Sequence, residues 1–138
     1  MLYFIIEKVE RKYKIWKLKK RLGDYAERTD LYVPDNCIIV GGKKHIRIGS
    51  NFYANESLRI EAITEWAGQK YSPKIEIGNN FACGREFHIG AINRIEIGND
   101  VLVGSMVLIT DHFHGKAEYN ELQKAPNSRR LYSKGEVI

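Results

Sequence analysis

A six-residue period constrains this chain more than any other feature. Between Ile95 and Ile109 apolar residues return at every sixth position (Ile95, Val101, Val107), a second set follows two residues behind (Ile97, Val103, Ile109), and Gly98 and Gly104 come just after that set. An amphipathic helix spaces its apolar residues near 3.6, and a lone strand alternates without interruption. This pattern alternates for three residues, breaks at a turn and begins again. Each hexad therefore reads as a short strand plus a bend.

Such a strand cannot bury its apolar face alone, so successive hexads must wind into a coil whose inward residues stack on the turns above and below. The same form recurs in Ile46-Arg-Ile48-Gly49, Ile75-Glu-Ile77-Gly78 and Phe87-His-Ile89-Gly90. Three turns of the coil follow, on Ile46, Phe52 and Leu58, on Ile75, Phe81 and Phe87, and on the Ile95 stretch. Residues 38–138 are expected to form this coil, interrupted where the frame is lost at 61–74 and 111–135. Trp66, Gly68, Ser72 and Pro73 mark the first interval as a loop, and Gly115, Pro126, Asn127, Arg129 and Arg130 mark the second. Repeat folds place specificity in such loops.

Residues 1–37 read as a helix and an irregular lead-in. Leu2, Ile5, Val9, Tyr13 and Trp16 recur at three- and four-residue spacing, and Gly23 supplies a stop after Leu22. The expected role of this stripe is to cap the open end of the coil or to meet a neighbouring subunit. A second reading is a basic helix lying on an anionic membrane, as a peripheral contact. The net charge of +5 is concentrated here, in Lys8, Arg11, Lys12, Lys14, Lys17, Lys19, Lys20 and Arg21. Nucleic acid is not expected as a partner, because no aromatic platform or recognised motif accompanies the charge. No apolar run approaches the roughly 20 residues of a membrane-spanning helix, and Glu7 cuts off Leu2–Ile6 too early for a signal peptide. The expected compartment is the cytoplasm, at most at the inner face of the membrane. Cys37 and Cys83 read as small buried residues rather than a disulfide.

From about Val40 onward these residues resemble the hexapeptide-repeat acyltransferases. The Ile-Glu-Ile-Gly-Asn-Asp-Val-Leu-Val-Gly run followed by Thr110-Asp111-His112-Phe113-His114-Gly115 is most similar to the sugar O-acetyltransferases of lipopolysaccharide and capsule synthesis. The resemblance implies an all-β left-handed parallel β-helix behind the N-terminal helix, acetyl-CoA as acyl donor, a sugar hydroxyl as acceptor, and a homotrimer with sites between subunits. The left hand comes from the resemblance alone, since crossovers between parallel strands are right-handed in about 98% of cases. It also implies further hexads and a closing helix, so the chain is expected to be C-terminally shortened. A non-catalytic β-helix scaffold is the reading that follows if shortening has removed activity.

Acetyl transfer from a thioester to a hydroxyl needs a base with a pKa near neutrality, which histidine supplies. His112 follows directly where the hexad frame breaks, at the mouth of a loop on a rigid coil, and the resemblance makes it the catalytic base. Asp111 either orients the imidazole or ends the strand as a turn residue. His114 and His88 are candidates for acceptor binding. Asn51-Phe52-Tyr53-Ala54-Asn55 resembles a string that carries an acceptor-binding Asn in galactoside acetyltransferases, but it lies one coil too early. Gly84 occupies the matching position, and Arg85 or Glu86 is expected to contact a different sugar. The competing enzyme class is a γ-class carbonic anhydrase, which needs three histidines on zinc. His88, His112 and His114 lack its close spacing.

Overall fold

The computed structural model describes residues 2–138, apart from the side chains at 2–4, 11 and 15. Helix α1 (Leu2–Leu22) ends at Gly23, whose φ of +52° suits a residue without Cβ. There follow β1 (Leu31–Tyr32), β2 (Ile38–Val40), the single turn α2 (Gly42–His45), β3 (Ile46–Ile48), β4 (Phe52–Ala54) and β5 (Arg59–Ala62). Next are β6 (Glu65–Trp66), β7 (Gln69–Lys70), β8 (Lys74–Ile77), β9 (Ala82–Cys83), β10 (His88–Ala91) and β11 (Arg94–Ile97). The chain continues through β12 (Leu102–Val103), β13 (Leu108–Thr110), β14 (Phe113–His114), α3 (Tyr119–Leu122) and β15 (Leu131–Tyr132).

Three parallel sheets hold most of these strands, in the orders β1-β4-β9-β12, β2-β5-β10-β13 and β3-β8-β11. The chain visits the first, second and third sheets in turn and then repeats the circuit. This cyclic order is compatible with the parallel β-helix expected from the hexads. Val137 continues it, bridging in parallel to Ile95 of the third sheet.

Alternation within each strand sends one face inward. Ile46, Phe52, Leu58, Ile75, Phe81, Phe87 and Ile95 are all buried, as the six-residue frame requires. Phe52 stacks on Phe81 at 5.2 Å between ring centroids, and Phe81 meets Phe87 at 5.6 Å. Cys37 and Cys83 are buried free thiols in the same core. At the bends after the third sheet, Gly49, Gly78 and Gly98 lie one above another. A Cβ on Gly78 would come within 2.5 Å of the Gly98 carbonyl oxygen. Asparagines bind these bends together: the Ser50 N–H donates to Asn79 Oδ1 at 2.8 Å, and the Asn79 N–H donates to Asn99 Oδ1 at 2.8 Å.

Two regions differ from the sequence reading. The lead-in is more ordered than its turn residues suggest, because β1 pairs in register with β4, Leu31 opposite Phe52. The N-terminal stripe does not cap the coil. Ile5, Val9, Tyr13 and Trp16 are exposed, whereas Leu18 and Leu22, on roughly the opposite side of the helix, pack on the core. Leu2, the first residue of that stripe, has its side chain outside the described set. No helix among the described residues is long and apolar enough to cross a membrane.

Candidate active site

The outward face of the second sheet supplies the floor of the site. Its register aligns two outward rows, Ile38, Arg59, His88 and Leu108 in one, and Val40, Glu61, Gly90 and Thr110 in the other. Beside these rows stand Trp66, from the antiparallel pair β6–β7 inside the first interruption, and His114 and Leu131, from the pair β14–β15 inside the second. All of these except Ile38 line a cavity of about 610 Å³. The Trp66 indole meets the His114 ring edge-on at 5.1 Å.

Where the hexad frame breaks, Asp111 turns into the protein and its side chain is wholly buried. One carboxylate oxygen accepts the Ile92 N–H at 2.9 Å, and the other accepts the Asn93 N–H at 2.8 Å. Burial alone would raise its pKa. The hydrogen bonds from His112, Ile92 and Asn93 outweigh that effect and hold the carboxyl below its ordinary range. Asp111 is therefore an anion that can only accept.

His112 completes the pair. Its Nδ1 lies 3.1 Å from Asp111 Oδ1 and 3.0 Å from Thr110 Oγ1. An ionised Asp111 places the ring proton on Nδ1, which leaves the Nε2 lone pair available. Nε2 makes no hydrogen bond among the described residues, and the ring lines the cavity. Gly90 makes room for it, since a Cβ there would stand 3.3 Å from His112 Cε1 and 3.8 Å from His88 Nε2. A buried anion, an oriented imidazole that lines a cavity and a ring nitrogen without a hydrogen bond are what a general base requires.

His88 faces the same space and is tied to Glu61, its Nε2 lying 2.9 Å from Oε2. Glu61 also accepts from Arg59 Nη2 at 2.6 Å. The Arg59 bond, more than His88, holds Glu61 below the ordinary carboxylate range against the opposing effect of burial. Arg85 and Glu86 sit elsewhere, at the bend between the first and second sheets. Arg85 pairs with Glu56 at 3.1 Å, Glu86 has φ +56°, and neither lines the cavity. His45 is half-buried, with Nδ1 2.9 Å from the Pro73 carbonyl oxygen. Among the described residues no three His, Cys, Asp or Glu side chains converge as a metal-ligand set.

Sequence reasoning missed Arg59, Glu61, Trp66, Gly90 and Thr110. The outward positions beside Ile60 were readable from the hexad frame, but the interruption at 61–74 concealed how that coil aligns with His88. Gly90 was visible in the repeat as a bend residue, with nothing to mark it as the neighbour of His112.

No protein-family model matches the chain, and no solved structure gives a significant match. In an alignment of 113 positions that covers 75% of the chain, the sequence is 31% identical to the Escherichia coli (strain K12) protein named "Putative lipopolysaccharide biosynthesis O-acetyl transferase WbbJ". It spans about half of that relative, 54%. A chain of three parallel sheets that pairs a histidine with a buried aspartate is thus similar, over most of its own sequence, to a protein named as an O-acetyltransferase.

Proposed function

We propose that this chain is an acetyl-CoA-dependent O-acetyltransferase that acts on a sugar hydroxyl in lipopolysaccharide or capsule synthesis, with His112 as general base. The observation that carries this reading is the Asp111–His112 pair, with Nδ1 held at 3.1 Å, Nε2 without a hydrogen bond among the described residues, and the residue lining the cavity. As the acceptor oxygen forms its bond to the thioester carbonyl carbon, His112 Nε2 takes the hydroxyl proton. The carbon–sulfur bond then breaks, and the imidazolium returns that proton to the departing sulfur to give the CoA thiol. Asp111 offsets the imidazolium charge in a setting with little water, where such compensation is strongest.

Acceptor contact is assigned to His88, Glu61 and His114 rather than to Arg85 and Glu86. An anionic Glu61 accepts hydrogen bonds from sugar hydroxyls and disfavours an acceptor with its own carboxylate beside the reacting group. Trp66 offers an apolar ring wall against which a pyranose can stack. A left-handed parallel β-helix, a homotrimer and a cytoplasmic setting belong to the same proposal. Support for assembly comes from Ile38, Val40 and Leu108, exposed apolar residues on the sheet face, of which Val40 and Leu108 also line the cavity, so that a copy seated there would border the site.

An acceptor panel tests the proposal. Acetyl-CoA with neutral sugars and sugar nucleotides should give acceptor-dependent release of free thiol and a product heavier by one acetyl group. Thiol release that ignores every sugar hydroxyl, or an acetylated amine in its place, would contradict it.

A further inference from the structure

The most conspicuous feature that the acyl-transfer chemistry leaves unused is the outer side of α1. Ile5, Ile6, Val9, Tyr13 and Trp16 are 49–61% exposed, and at 3.6 residues per turn they fall within an arc of about 100°. By the same geometry Lys8, Lys12 and Lys19 follow one margin of that arc, Lys17 follows the other beside Glu10, and Lys20 falls within the arc near its C-terminal end, all exposed. Lys20 lies over the Trp16 ring at 5.4 Å, and Trp16 stacks with Tyr13 at 6.0 Å. Lys19 also reaches Glu27 at 3.2 Å, a surface contact. The other side of the helix is anchored. Leu18 and Leu22 pack on the coil, and Arg21 donates to the Pro34 carbonyl at 2.9 Å.

We infer that α1 binds the surface of an anionic lipid bilayer, lying in its plane with the apolar arc among the headgroups and the lysines at the lipid phosphates. An aliphatic stripe with Tyr and Trp in it and lysines on both margins is the pattern of an interfacial helix. Charge selects the lipid over a second copy of the chain. The helix carries eight basic residues against two acidic ones, so stripe-to-stripe packing of two copies would bring like charges together, while an anionic surface opposes them with the complementary sign. The anchored side then ties the coil to the membrane surface. This inference does not depend on the acyl-transfer reading.

Flotation of the full chain with vesicles of phosphatidylcholine alone, and with phosphatidylglycerol added, tests it. Binding is expected only to the anionic vesicles, weakening in about 0.5 M salt and by roughly fivefold for each of Lys8→Ala, Lys12→Ala and Lys17→Ala. In a Trp66→Phe background the Trp16 emission should shift to the blue on those vesicles. Val9→Asp, at a position the core does not use, should abolish binding with an unchanged circular dichroism spectrum. No binding to either vesicle would overturn the inference, as would equal binding to both. So would a Trp16 shift that follows protein concentration without lipid, which would assign the stripe to a second copy.

Discussion

At the scale of single residues, the proposed chemistry rests on how Asp111 is held. Two backbone N–H groups from the preceding coil fix its carboxylate, so Oδ1 presents its second lone pair to His112 rather than rotating freely. Asp111→Asn keeps the shape, but its amide nitrogen must face one of these backbone N–H groups, and at the Oδ1 position it donates to Nδ1. That favours the tautomer with its proton on Nε2, and kcat should fall roughly 10²-fold or more with KM little changed. Gly90→Ala probes position alone. Its Cβ, 3.3 Å from His112 Cε1, must displace the ring by a few tenths of an ångström, and kcat should fall by roughly 10-fold to 10²-fold while the melting temperature holds. Acid should unfold the protein through Asp111 and Glu76. Lys74 first, then Arg47 and Arg94, hold Glu76 below its ordinary range. A carboxyl depressed on folding stabilises fully above its unfolded pKa, near 4, and that contribution is lost as pH falls through the folded value. Urea midpoints should thus be flat near neutrality and drop below about pH 4, with a shallower drop in Asp111→Asn.

At the scale of elements, the hexads were legible because a period of six has few structural solutions. Each inward residue named from the frame, from Ile46 through Ile95, is buried. The strand β1 was hidden because two residues among Thr29-Asp30 and Pro34-Asp35-Asn36 carry no period of their own, and only β4 reveals their pairing. Helix α1 was legible in extent but not in orientation. It has two apolar sides, and the spacing of Ile5, Val9, Tyr13 and Trp16 reads as strongly as that of Leu18 and Leu22. The coil, which buries only the second side, makes the choice. Within the site, His112 was singled out by the break in the frame together with the resemblance to the acyltransferases, while Glu61 and Arg59 depended on a coil-to-coil register that the insertion obscured. The stacked bends and rings make the coil sensitive to single changes. Phe81→Ala should cost about 3–5 kcal/mol in urea unfolding, and Gly78→Ala should be comparably damaging because its Cβ would strike the Gly98 carbonyl.

At the scale of the whole molecule, two of the exposed apolar surfaces among the described residues divide by charge. The face of Ile38, Val40 and Leu108 runs into the cavity wall and suits a neighbouring copy, whereas the lysine-bordered arc of α1 suits an anionic surface. Light scattering during size exclusion should give three copies, with Leu108→Glu shifting the protein toward monomer; a wild-type monomer at micromolar concentration would count against a shared site. Both surfaces leave the cavity and its histidine on a rigid frame, which is how a fixed base gains its effect. The most direct measurement is acceptor-dependent CoA release by His112→Ala beside the unaltered protein, with circular dichroism to establish that both are folded. A loss of roughly 10²- to 10⁴-fold in kcat is expected for removal of a general base; a loss below tenfold would contradict the assignment of His112.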